Sequence, residues 1–143
     1  MSKMIFVNLP VTDLPRAVGF YEAIGATRNP QFSDDTAACM VLSDVIHVML
    51  LTHGKFAGFT PKRIADAHAT SEMLLCISAD SREGVDDITE KALGAGGRET
   101  RAAEDHGFMY GRSFEDPDGH IWEPMWMDMA AAQQAMAPRA VAA

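Results

Sequence analysis

Apolar positions along the chain follow two rhythms, and the order of those rhythms is repeated. "MIFVNLPV", residues 4–11, mixes branched and aromatic residues as a strand does; beyond it, Leu14, Ala17, Val18, Tyr21 and Ile24 recur at helical spacing. Asp13 suits the N-cap of that helix, Pro15 is tolerated in its first turn, and Gly25 is a fitting stop. In the second half, "MLLCISAD" leads into "SREGVDDITEKALGAGG". There Val85, Ile88 and Ala92 form the apolar stripe, Asp80 with Glu83 resembles a capping box, and Gly94 ends the helix. Extended stretches follow each helix: "AACMVLSD" and "VIHVMLLTH", then "GFMYGRSFED" and "HIWEPMWM". Each half therefore reads β-α-β-β-β, with a short extra strand near "ATRNPQF" or "GRETRAA".

A repeat that cannot bury its apolar face alone does so against its twin. The expected fold class is α+β: two βαβββ modules forming a curved mixed sheet around a cleft. The first module spans 1–53 and the second 71–128. Between them, residues 54–70, rich in Gly, Pro and polar residues, read as a linker or a loop over the cleft. The alanine-rich tail, 129–143, is expected to be helical to about Met136 and loose beyond Pro138.

The 143 residues are 48% hydrophobic, ample for a packed interior. A net charge of −8 argues against nucleic acid or an anionic membrane as the main partner and leaves small molecules. Cys39 and Cys76 show no CxxC pairing and lie in apolar stretches, so both are expected as buried, reduced thiols of a cytoplasmic protein. The N-terminal apolar run is too short for a secretory signal, and no stretch reaches the roughly 18 apolar residues of a membrane span.

Asp116-Pro117-Asp118-Gly119 meets the type I turn preferences almost position by position. The strand after it puts Glu123 in a largely apolar stretch, where a carboxylate needs a partner. Trp122 and Trp126 have the opposite parity and are expected under helices, while Met49 and Met125 share the parity of His47 and Glu123 and are candidate pocket walls. Phe108, Tyr110 and Arg112 fall on one face of another strand. If that face lines the cleft, Tyr110 and Arg112 hold an anionic or phenolic ligand; if not, they are packing and surface residues. His53, His68 and His120 read as surface residues.

Two motifs carry a resemblance. "LPVTDLPRAVGFYEAIG" at 9–25 and "FEDPDGHIWE" at 114–123 resemble the opening and closing motifs of the vicinal oxygen chelate superfamily, which contains glyoxalase I, extradiol dioxygenases, and bleomycin- and fosfomycin-resistance proteins. The resemblance covers roughly residues 4–127. It implies a homodimer and a divalent metal held by one residue from each of four strands. By position those residues are Phe6, His47, Leu74 and Glu123. Phenylalanine and leucine have no lone pair to offer, and a catalytic site generally wants at least three protein ligands. The expectation is therefore no cofactor, with Fe, Mn, Ni or Zn in an altered centre as the alternative.

Three readings of His47 and Glu123 stay open: a hydrogen-bonded pair, polar anchors for a ligand in an apolar pocket, or an altered metal site recruiting His106 or Asn8. Phe6, Asn8, His47, Met49, Leu74, Tyr110, Arg112, Glu123 and Met125 are the candidate ligand-binding residues, with His47 and Glu123 the candidate metal ligands. The resemblance implies either a protein that binds a small, partly aromatic or oxygenated molecule, or a metal-dependent enzyme of the lactoylglutathione lyase or extradiol dioxygenase type.

Overall fold

The computed structural model describes residues 3–136. Strand β1 (Ile5–Val11) runs into helix α1 (Leu14–Ala23), where the Asp13 side chain accepts from the Arg16 amide at 3.0 Å. The helix turns Ala17, Phe20 and Tyr21 inward and stops at Gly25, whose φ of 107° is the left-handed conformation glycine tolerates. Strands β2 (Thr27–Asn29), β3 (Ala37–Val41) and β4 (Ile46–Thr52) follow. The sheet order is β1-β4-β3-β2, with β1 parallel to β4, as the intervening helix permits. The register sets Phe6 beside His47 and Asn8 beside Met49.

Strand β5 (Leu75–Ser78), helix α3 (Arg82–Gly94) and strands β6 (Arg98–Asp105), β7 (Met109–Glu115) and β8 (Ile121–Met127) repeat the plan, in the order β5-β8-β7-β6 with β5 parallel to β8. Two differences from the sequence reading are local. The cap of α3 is Ser81 rather than Asp80, because the serine hydroxyl accepts from the Gly84 amide at 3.0 Å. The extra strand near "GRETRAA" is β6, eight residues long and exposed throughout. Between the modules lies a short helix, α2 (His53–Ala57), and α4 (Met129–Met136) ends the described chain. The loose end expected beyond Pro138 lies outside the described residues.

The two four-stranded sheets are not joined edge to edge into a closed one. What fastens the modules is the Asp116–Gly119 turn against α1. The Tyr21 hydroxyl donates to Asp116 Oδ2 at 2.6 Å and accepts from Trp122 Nε1 at 3.0 Å. Asp116 Oδ1 accepts from the amides of Asp118 and His120, both at 2.9 Å. Asp118 reaches back to the Thr12 amide and hydroxyl, each at 2.9 Å. His120 Nε2 lies 2.8 Å from the Pro10 carbonyl, so that nitrogen carries the proton, and His120 is a bridge between modules rather than the expected surface residue. Phe20, Phe114 and Trp122 complete this junction within the main core. Burial pushes the Asp116 carboxyl above the usual carboxylate range, although the charge of His120 and the hydrogen bonds pull against it. Burial, then the Asp116 charge, push the Tyr21 hydroxyl well up.

Candidate functional site

His47 and Glu123 do not meet within the chain. His47 is only 8% exposed; the Phe6 ring stacks on its imidazole with centroids 4.6 Å apart and planes 20° off parallel. Its Nδ1 is buried without a hydrogen-bond partner. Glu123 lies beside Cys76 in the other sheet, and its carboxylate takes Arg101 at 3.0 Å. The carboxylate thus has its partner on β6, two strands away in the same sheet, rather than across a cleft. The hydrogen-bonded pair of His47 and Glu123 gives way to two separate arrangements.

Cys39 is buried as expected, but Cys76 is exposed. Partial burial and the Glu123 charge push the Cys76 thiol up, against the pull of Arg101. A thiol shifted in that direction is a poor nucleophile. Met49 and Met125 are half-buried, Asn8 is exposed, and Leu74 lies just before β5 with 57% of its surface free. Cys76, Ser78, Glu123 and Met125 share one face of the second sheet, as Phe6, Asn8, His47 and Met49 share one face of the first.

Tyr110 and Arg112 lie on the opposite face of the second sheet, beneath α3. The Tyr110 hydroxyl donates to Asp86 at 2.6 Å, and Arg112 spans Asp86, Glu90 and Glu99 at 2.9–3.1 Å. Arg112 shares the strand parity of buried Phe114. Its hydrogen bonds to the three carboxylates outweigh partial burial and hold the guanidinium above its ordinary range. These two residues tie helix to sheet, and the anion-holding reading gives way to the packing one. Trp126 lies on that side as expected, with the Arg82 guanidinium 5.5 Å from its ring centre.

His106 pairs with Glu104 at 3.5 Å on the surface. His53 and His68 are exposed. Among the described residues, no three His, Cys, Asp or Glu side chains group as a metal shell. The family's four positions hold one apolar ring stacked on a histidine, one leucine and a carboxylate already bound by arginine, a donor set that does not fit the expected ion within a single chain. Arg101 and Cys76 were missed as members of the candidate face. The charge alternation of "RETRAAED" hid the strand that delivers Arg101, whereas the parity of Cys76 with Glu123 was open to reading.

A βαβββ repeat with a parallel first and last strand in each half, clasped by a D-P-D-G turn against the first helix, defines a two-module class of proteins. The chain belongs to the Glyoxalase/Bleomycin resistance protein/Dioxygenase superfamily, whose family model matches residues 3–123. Among solved structures, hypothetical protein SA1046 from S. aureus is 25% identical, with 88% of this chain and 95% of that chain covered at a TM-score of 0.73. A glyoxalase/bleomycin resistance protein/dioxygenase family enzyme from Burkholderia phytofirmans PsJN is 16% identical, covering 88% and 99% at 0.72. The fosfomycin resistance protein FosX from Mesorhizobium loti is 18% identical, covering 92% and 95% at 0.63. No curated protein matches the sequence.

Proposed function

We propose that the protein binds a small, partly aromatic or oxygenated molecule on the face carrying Phe6, Asn8, His47 and Met49, without the complete metal site usual in its superfamily. The observation that supports this is the buried, unpartnered Nδ1 of His47 beside the half-exposed Phe6 ring. Buried polar atoms are normally satisfied, and an orphan in an apolar wall is the arrangement of a ligand anchor. A phenolic hydroxyl or carbonyl supplies the missing partner while its ring covers Phe6.

The working unit is a homodimer in this reading. Met4 just before β1 with Ile5 and Phe6 at its start, and Met73 and Leu74 just before β5, are all exposed apolar residues beside sheet edges that lack a neighbour. A second copy covers those edges and brings its Cys76–Glu123–Arg101 face toward the His47 face. No helix is long and apolar enough to cross a membrane, and the two free cysteines fit a cytoplasmic setting.

The test is calorimetric titration of a panel of phenols and aromatic aldehydes and ketones into the untagged protein and into His47→Leu, alongside sedimentation and elemental analysis. Saturable binding that His47→Leu abolishes, by a metal-free dimer, is the expected result. The same orphan nitrogen favours one competing reading, a metal-dependent enzyme whose altered centre uses His47 and Glu123. Stoichiometric Fe, Mn, Ni or Zn, lost together in His47→Leu and Glu123→Gln, would establish it instead.

A further inference from the structure

We infer a second ligand site, bordering the His47 face only at Asn8: a cavity of about 250 Å³ beneath the inter-module linker that takes a small monocarboxylate with an apolar body. Its walls bring together Leu9 and Pro10 from β1, Phe56 and Ile64 from the linker, and Leu75 and Ile121 from the second module. A cavity of about 150 Å³ accommodates benzene, so this one has room for a bicyclic ring system. Phe56, Ile64, Leu75 and Ile121 are only partly buried, and an apolar guest would remove their remaining surface from water.

The roof is held in place. Gly119, at φ 92°, lies so close to the linker backbone that a Cβ there would fall 2.7 Å from Ala67 C and His68 N. The Asp66 side chain accepts from the His68 amide at 3.0 Å, closing the turn that rests on Gly119. A preformed cavity costs little ordering on binding.

Charge sets the guest's polarity. Lys62 and Arg63 lie side by side on the cavity wall, both exposed, and neither joins an ion pair among the described residues. In a chain of net charge −8, two adjacent cations beside an apolar cavity select an anion. Glu72 also lines the cavity and disfavours a second negative charge, which points to a single carboxylate.

The probe is 1-naphthoate, with neutral 1-naphthamide as its isostere, titrated calorimetrically into the full chain. The naphthoate should bind once per chain. Lys62→Gln with Arg63→Gln should weaken naphthoate about tenfold and leave the amide within about twofold. Ile64→Trp should abolish both, while His47→Leu should change neither. If Ile64→Trp fails to fold, NOE contacts from naphthoate protons to the methyls of Ile64, Leu75 and Ile121 decide the same point. No saturable binding at millimolar probe, equal losses for acid and amide in the charge variant, or loss in His47→Leu alone would overturn the site. The last of these would place the probe on the His47 face, leaving the proposed function standing and this cavity without a role.

Discussion

The two modules share one strand order and differ in almost everything that fills it. In the first, β3 is buried at Ala37, Ala38, Cys39 and Met40, and α1 gives Ala17, Phe20 and Tyr21 to the core. In the second, the edge strand β6 is exposed at every residue and studded with charge, and Arg112 fans out to three carboxylates under α3. The candidate faces diverge in the same way. The first holds a ring stacked on a histidine with an unused nitrogen; the second holds a carboxylate matched by an arginine. Topology has been repeated while chemistry has been divided, with cohesion concentrated in one copy and charge in the other. An edge strand such as β6, with its alternating Arg and Glu, resists adding another strand, so the second module can leave that flank open.

The largest effect expected from breaking this division is in β3. Met40 is fully buried, and Met40→Ala should cost about 2–5 kcal/mol by chemical denaturation. A matching truncation on β6, Glu99→Ala, should stay below about 1 kcal/mol. Equal costs would mean that the two modules contribute alike to stability.

Next comes the clasp between the modules. Tyr21→Phe removes the donor to Asp116 and the acceptor for Trp122 Nε1, an expected loss of about 1–3 kcal/mol near neutral pH. The pH dependence has a definite sign. Asp116 is raised in the fold, so the folded chain holds its proton to higher pH than the unfolded chain, and stability falls as pH rises from the ordinary carboxylate value through the folded one. The tyrosine hydrogen bond lowers that folded value, so removing it extends the window upward. Tyr21→Phe should therefore destabilise more at about pH 7 than at about pH 4, read from denaturation midpoints at both. A smaller loss at neutral pH would contradict the assignment.

These residues show what the sequence made legible. The repeat, the start of α1, the Asp-Pro-Asp-Gly turn and the burial of Trp122 follow from periodicity and local backbone preference, which a few adjacent residues decide. The partner of Asp116 lies 95 positions upstream and that of Asp118 lies 106, separations over which no local pattern carries information. The face occupied by Tyr110 needed the pairing of Tyr110 with Trp126, a matter of register between strands. The apolar surroundings of Glu123 signal that it needs a partner, but the partner sits on a strand whose apolar residues are only Ala102 and Ala103, too few to announce it.

Two smaller effects sharpen the contrast between the faces. In a double-mutant cycle of Arg101→Ala and Glu123→Gln, the coupling should be about 0.2–1 kcal/mol and should shrink with added salt, because the Arg101 side chain is open to solvent over 39% of its surface. A coupling of similar size between Glu123 and His47 in dilute, monomeric protein would show that the faces communicate within one chain. Smallest of all, His47→Leu should leave stability within about 1 kcal/mol of the original or raise it, since it deletes a buried nitrogen that has no partner. A large loss in denaturation would make His47 a structural residue rather than a ligand anchor.

The tyrosine clasp also bears on how the chain reaches its fold during synthesis. Helix α1 is among the first elements to emerge, yet the acid that accepts its Tyr21 hydroxyl and the indole that donates to it are made after most of the chain has followed. A nascent first module must wait with that hydroxyl open to water, and its closure becomes a late step over a long loop. Folding of this kind favours slow, cooperative completion over piecewise accumulation of finished modules. A ribosome-bound fragment ending at residue 110 should therefore remain protease-sensitive in α1, even though every residue of that helix is already present.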